Sequence, residues 1–94
     1  MATINWTPHP LQKLEEILVY LEEGDPSYIL KLMNQVKKQL EVLRNSPQMG
    51  RIVSERKSED LREIFAEKYR IIYVYKKNSI IIIAILHFKQ NFRL

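Results

Sequence analysis

The sequence predicts an α+β domain with elements in the order β-α-α-β-β-β: a helical hairpin packed on one face of a small, mainly antiparallel sheet. Three observations predict it. Two apolar stripes at helical spacing occupy residues 8–45 with one short break. Two runs rich in β-branched and aromatic residues flank Lys76-Lys77-Asn78-Ser79, the pattern of a β-hairpin. A short polar–apolar alternation, Thr3-Ile4-Asn5-Trp6, stands ahead of the helices and reads as a first strand.

The helices follow from their ends as well as their periods. Thr7-Pro8 is a helix start, with the hydroxyl as N-cap and proline in the first turn. Leu11, Leu14, Ile17, Leu18 and Leu21 then form one stripe, giving a helix over about residues 8–23. Gly24 is the expected left-handed cap. Asp25-Pro26 repeats the start signal at once. Ile29, Leu32, Met33, Val36, Leu40 and Leu43 form a second stripe over about 26–45, and Ser46-Pro47 ends it. So short a linker joins the helices as an antiparallel hairpin. Residues 47–60 are the least regular stretch, with Gly50 marking a turn. Leu61–Phe65 reads as a short strand. Tyr69–Tyr75 and Ile80–His87 are the hairpin strands.

The 94 residues make one domain, 1–94, with a single modest core. No cysteine is present, which excludes disulfides and thiolate metal sites. The two histidines, His9 and His87, lie too far apart in sequence to suggest a metal site, and no phosphate loop or nucleophile elbow occurs. No metal and no cofactor is therefore expected. The opening segment lacks the pattern of a signal peptide. The longest apolar run, Ile80–Leu86, is far short of the roughly 20 residues that span a membrane. A cytoplasmic protein without a membrane partner is expected. The charge is uneven. Residues 1–43 hold four Lys/Arg against six Asp/Glu, and residues 44–94 hold eleven against five. The half with the hairpin is basic, which suits an acidic or polyanionic partner.

Strand side chains alternate between faces. If the hairpin loop is Asn78-Ser79, Arg70 sits opposite His87. If it is Lys77-Asn78 or Lys76–Ser79, Arg70 faces Ile85, diagonal to His87. Each even-length loop thus predicts Arg70 and His87 on one face, within reach of one another. That face also carries Ile72, Val74, Ile81, Ile83 and Ile85. Two helices can cover only the other face, so this one is expected to bind a partner protein unless residues 47–60 fold over it.

The element order resembles the RelE/ParE superfamily of bacterial type II toxins. The resemblance rests on Pro47-Gln48-Met49-Gly50-Arg51, Leu61-Arg62-Glu63-Ile64, Tyr69-Arg70-Ile71-Ile72-Tyr73 and the closing Ile85-Leu86-His87, and it covers essentially the whole chain. It implies a growth-inhibiting toxin neutralised by a cognate antitoxin that wraps the uncovered face, with operator DNA contacted only through the antitoxin. Arg70 matches the superfamily's strand arginine, which in the ribonuclease branch stabilises the scissile phosphate. The rest of the ribonuclease set is thin. Leu61, Glu63 and Ile64 fill the region of the expected paired lysines, and only Lys89 or Arg93 stands for the arginine after the last strand. The Met-Gly-Arg turn, Leu-Arg-Glu-Ile and the strand-end histidine resemble the ParE-like branch, which implies DNA gyrase as the target.

Two chemistries remain open at this point. A ribosome-dependent mRNA endonuclease would use His87 as acid or base, its ordinary pKa being about 6.5. Glu55 would be a second acid/base if its loop folds inward, with Arg70 on the phosphate. A gyrase-binding toxin would have no catalysis of its own. Its target contacts would come from Arg51, Arg62, Lys89 and Arg93. A non-toxic member of the fold would keep only partner binding. A carboxylate such as Glu63 or Glu67 is the structural partner expected for Arg70.

Overall fold

The computed structural model describes residues 1–93. The elements are β1 (Thr3–Trp6), α1 (Pro8–Gly24), α2 (Ser27–Asn45), β2 (Arg51–Ile52), β3 (Leu61–Ala66), β4 (Tyr69–Lys76) and β5 (Ser79–His87). They form one five-stranded sheet in the order β1-β5-β4-β3-β2. Only the β1–β5 contact is parallel. The two-residue strand β2 lies in the stretch that carried no periodic signal, and it exists because Arg51 and Ile52 pair with Glu63 and Arg62.

The helix ends differ in detail from expectation. Thr7 has the extended backbone that precedes a helix, but its hydroxyl makes no cap. It donates instead to the carbonyl of Ile82 at 2.7 Å, and the Thr7 N–H donates to the same oxygen at 3.2 Å. The residue fastens the turn from β1 into α1 onto β5. Gly24 has no positive φ and remains helical. The helix closes one residue later, where the Asp25 N–H donates to Leu21 O at 2.7 Å.

The stripe residues Leu14, Ile17, Leu21, Leu32, Val36 and Leu43 are buried and pack on Ile64, Ile71, Tyr73, Ile80, Ile82 and Ile85 of the sheet. Removing such side chains from water stabilises the fold by about 1.5–3 kcal/mol each before entropy is counted, so this layer is what holds the helices against the sheet.

The hairpin turns on Lys77-Asn78, both with positive φ (49° and 61°), as a two-residue loop of this type requires. From the turn, the register runs Lys76↔Ser79, Tyr75↔Ile80, Val74↔Ile81, Tyr73↔Ile82. It then slips. Ile72 pairs with Ala84, so Ile83 is an extra residue, a β-bulge. Beyond it the pairs are Ile71↔Ile85, Arg70↔Leu86 and Tyr69↔His87.

One inserted residue reverses which side each later residue faces. Two expectations fail for this reason. Arg70 and His87 do not share a face: His87 lies with Tyr69 and Ile71 on the helix side, and Arg70 lies with Ile72 on the outer side. Ile85 leaves the proposed partner face and becomes core, 4% exposed. Ile82 and Ile85 both reach the helices as a result, while the small Ala84 turns outward.

The outer face is also less bare than expected. Residues 53–61 and the C-terminal tail close over it, and Val53, Leu61, Ile72, Leu86 and Phe92 form a second, smaller core. Ile72 is fully buried there. Val74, Ile81 and Ile83 stay half-buried at its border.

Candidate functional site

Arg70 is the centre of the outer face. It is the second residue of β4, flanked by β3 and β5, and its side chain lies under the loop and the tail and is only 5% exposed. Its Nε donates to Glu63 Oε1 at 2.6 Å. Nη1 donates to Glu55 Oε2 at 2.9 Å and to the carbonyl of Gln90 at 2.8 Å. Nη2 donates to Glu55 Oε1 at 2.9 Å. Glu63, 1% exposed, shares its other oxygen with Arg51 Nε at 2.8 Å. Glu55 also accepts the Phe92 N–H at 2.8 Å.

This is a closed network. Two arginines and two glutamates cancel formally, and among the described residues no buried side-chain N or O lacks a partner. The Arg70 hydrogen bonds hold the Glu55 carboxyl well below the usual carboxylate range, with the Phe92 N–H adding to the effect. Glu55, then Glu63, raise the Arg70 guanidinium in turn against its burial. A proton acceptor at neutral pH needs a pKa nearer 7. Glu55 lies far from that, and four of the five Arg70 N–H donors are already taken, which leaves a single Nη2 hydrogen.

Of the two carboxylates expected as structural partners, Glu63 pairs with Arg70, and Glu55 takes the place expected for Glu67. Glu55 does fold inward, but onto Arg70 rather than into a catalytic cleft.

His87 stands elsewhere. Its ring meets Tyr69 edge-on at 5.9 Å and lies 4.8 Å from Phe88. Its Nδ1 accepts from the Lys89 N–H at 3.3 Å. It lines a hollow of about 280 Å³ with Lys13, Glu16, Tyr20, Tyr69 and Gln90, on the helix side of the sheet. The structure does not bring Arg70, His87 and Glu55 together.

Of the expected target contacts, Arg51 is exposed and crosses the Phe65 ring at 4.8 Å. Lys89 and Arg93 are exposed on the tail. Arg62 is committed: its donors reach the carbonyls of Gln48, Gly50 and Glu59 at 3.0–3.2 Å. It shares that task with Tyr73, whose hydroxyl donates to Pro47 O at 2.7 Å and accepts from the Gly50 N–H at 3.0 Å. Burial pushes the Tyr73 hydroxyl above its ordinary pKa. A Cβ on Gly50 would meet the Tyr73 hydroxyl at 2.5 Å and Glu63 O at 2.8 Å. Close approach, not φ, is why glycine stands there.

A second surface feature lies beside the network. β1 pairs with β5 only as far as Ile82. The rest of β5, Ile83–His87, has β4 on one side and no strand on the other among the described residues. Gln90 covers the last of this edge: its Oε1 accepts the His87 N–H at 2.8 Å and its own N–H donates to His87 O at 2.9 Å. Between this edge, α1 and the tail runs a groove of about 570 Å³, lined by His9, Lys13, Ile83, Ala84, Gln90 and Arg93 among others.

Sequence reasoning missed Gln90, Phe92 and the Tyr73–Gly50 contact. Of these, Phe92 alone had a signal, an aromatic four residues after Phe88 in a polar tail. Among the described residues no group of three or more His, Asp or Glu is placed to hold a metal ion, and no helix is long and apolar enough to cross a membrane.

Over residues 4–92 the sequence matches the family described as ParE toxin of type II toxin-antitoxin system, parDE. No curated protein matches it. Among solved structures, a chain of the chromosomal ParDE TA system from P. aeruginosa is 20% identical, with 93% of this chain and 96% of that one covered and a TM-score of 0.68. A chain of the heterotetrameric YoeB-YefM toxin-antitoxin complex from Staphylococcus aureus is 16% identical, covering 89% and 93%, with a TM-score of 0.58. At these identities the two structures speak to the fold: two helices on a mixed five-stranded sheet.

Proposed function

This chain belongs to the ParE toxin family of type II toxin–antitoxin systems, and from that membership we propose that it arrests growth by binding DNA gyrase, not by cutting RNA. The observation that carries the second half is the state of Arg70. The strand arginine that could hold a scissile phosphate is buried, and four of its five N–H donors go to Glu55, Glu63 and Gln90 O. His87, the other candidate acid/base, lies on the opposite face. Transition-state charge in phosphoryl chemistry needs free cations beside a proton donor and acceptor, and this arrangement supplies neither together.

A cognate antitoxin is the protein partner. Its seat is the groove between α1 and the free half of β5, together with Val74, Ile81 and Ile83. An extended acidic segment suits this place: it can pair with the strand edge at Ile83–Leu86 and set carboxylates against Lys13 and Arg93. Target contacts fall to the exposed cations Arg51, Lys89 and Arg93. Arg62, tied into the 47–50 turn, supports that surface from within.

The test uses toxin freed of antitoxin. It should inhibit DNA supercoiling by purified gyrase, and Arg51→Glu or Lys89→Glu should weaken this in a salt-dependent way. It should leave transcripts intact in a cell-free translation reaction. Cleaved transcripts with unimpaired supercoiling would overturn the proposal in favour of the ribosome-dependent nuclease. A folded chain active in neither assay would leave the non-toxic binding role.

A further inference from the structure

One edge of the sheet, β1, is used neither by the Arg70 network nor by the antitoxin groove. The Thr3 N–H donates to Asn78 O at 3.1 Å, and the Thr7 N–H donates to Ile82 O at 3.2 Å. Strand backbone alternates in direction, so Asn5 also turns toward β5, while the N–H and C=O of Ile4 and Trp6 turn away from it. Among the described residues no strand meets them on that side. The Ile4 and Trp6 side chains pack against the helix-side core. Beside Trp6 the helices leave a recess of about 380 Å³, lined by Leu11, Leu14, Met33, Val36 and Leu40, with Lys37 its one charged lining residue. Leu11 is 43% exposed.

We propose that β1 is a self-association edge: a second copy of this chain lays its own β1 antiparallel against it, and the two sheets become one. The free backbone groups fix the register. The Ala2 N–H already donates to Arg44 O at 3.0 Å, and Pro8 has no N–H. Ile4 and Trp6 remain, so Ile4 of each copy meets Trp6 of the other, and Asn5 meets Asn5 on the two-fold axis. Three features carry this pairing. Natural edge strands are guarded by a charge, a proline or a bulge; Thr3-Ile4-Asn5-Trp6 has none, and its register with β5 runs unbroken. The residue on the axis is exposed and matches itself, since an amide both donates and accepts. Asn5 Nδ2 gives one hydrogen to Ser79 Oγ at 3.1 Å, which leaves its other hydrogen and Oδ1 for the twin. On the helix side, Ile4 against Trp6 is a β-branched–aromatic pair, a favourable cross-strand combination, set beside the apolar recess of each copy. A contact of this kind is isologous and closes at two copies.

An acidic antitoxin segment fits this edge less well. The strand itself carries no cation, whereas the groove beside β5 offers Lys13 and Arg93. The inference goes beyond the proposed function, since neither gyrase binding nor antitoxin capture needs a second toxin chain. Its test uses the toxin alone, so it stands or falls independently of the target.

The experiment is sedimentation velocity on toxin freed of antitoxin, over about 1 to 300 μM, because so short a strand pair belongs among the weak interfaces. The mass should rise with concentration from that of one chain toward that of two. Asn5→Asp and Asn5→Lys set like charges opposite one another, so each variant alone should dimerise about tenfold more weakly or worse, and an equal mixture of the two should restore the dimer. The chain has no cysteine, so Asn5→Cys adds a single thiol. Opposed residues of this non-hydrogen-bonded kind stand about 4.5 Å apart at Cα, within disulfide reach, and mild oxidation should link the Asn5→Cys chains in pairs. Thr3 faces Thr7 in this register, so Thr3→Cys should stay unlinked. Both positions are exposed, and an unchanged thermal midpoint certifies each variant. A monomer throughout the range, a dimer indifferent to both charged variants, or equal linking of Thr3→Cys and Asn5→Cys would each overturn the proposal. So would protection of the Ile4 and Trp6 amides from hydrogen exchange by antitoxin but not by rising toxin concentration, which would give the edge to that partner.

Discussion

Arg70 grips Glu55 through two hydrogen bonds of 2.9 Å, a fork-to-fork pair joining residues 15 apart in the chain. That pair closes two segments at once. Glu55 brings residues 53–57 onto the sheet, and its second bond, from the Phe92 N–H, draws in the tail. The outer core of Val53, Leu61, Ile72, Leu86 and Phe92 lies beneath this clasp.

Arg70→Ala should therefore act on stability first. It leaves Glu63 nearly fully buried with only Arg51 as a partner, and unfolding by denaturant should show a loss of about 3 kcal/mol. Arg70→Lys should recover little, because an ammonium cannot form the fork. A loss below about 1 kcal/mol would mean that the network does not hold the outer face. Loss of toxicity in Arg70→Ala says nothing about catalysis unless folding is checked. His87→Ala is the cleaner probe of a nuclease, since His87 is half-exposed and outside the network.

The clasp should also set the acid limit of the fold. Glu55 has a lower pKa folded than unfolded, where a glutamate titrates near about 4.3. Its contribution is thus fully present above that pH and is lost as pH falls through the folded value. Stability measured by denaturant should decline below about pH 4.5 in the native chain. Glu55→Gln should be less stable at pH 7 by about 2 kcal/mol and show a flatter acid profile. Parallel acid profiles would remove Glu55 from this role.

Gly50→Ala should cost about 1–3 kcal/mol, because the new methyl group must displace Glu63 backbone and the Tyr73 hydroxyl. Tyr73→Phe should cost about the same for a different reason, leaving Gly50 N–H and Pro47 O without their partner. The two effects share one contact, so the double variant should lose less than their sum. Additive losses in thermal or chemical unfolding would separate them.

Ile83 and Ile85 are two residues apart yet should behave oppositely. Ile85→Ala should lower stability by about 2–5 kcal/mol, as a core truncation does. Ile83→Ala should cost under about 1 kcal/mol and instead weaken antitoxin binding, measured by calorimetry. Equal stability losses would contradict the bulge.

Much of the architecture is legible in the residues. The stripes Leu14-Ile17-Leu21 and Leu32-Val36-Leu43 announce the helices, and Asn78 after two lysines announces a tight hairpin. The site is much less legible. Arg70 invites reading as a phosphate ligand because a sequence shows a charge but not its partners. Glu63, Glu55 and Gln90 lie 7, 15 and 20 residues away from it. Which of many carboxylates meets an arginine depends on loop paths that no local pattern encodes.

The sequence by itself determined the element order, the helical layer and the basic hairpin, because periodicity and turn chemistry act over a few neighbouring residues. Only the tertiary structure decided which face each hairpin residue serves. Face assignment in a strand depends on parity, and the single extra residue Ile83 reverses it in a run where Ile80 to Ile83 are all isoleucine. Four identical side chains carry no mark of where the ladder slips. Packing against the helices places the slip, and with it sends His87 to one side of the sheet and leaves Arg70 clasped on the other.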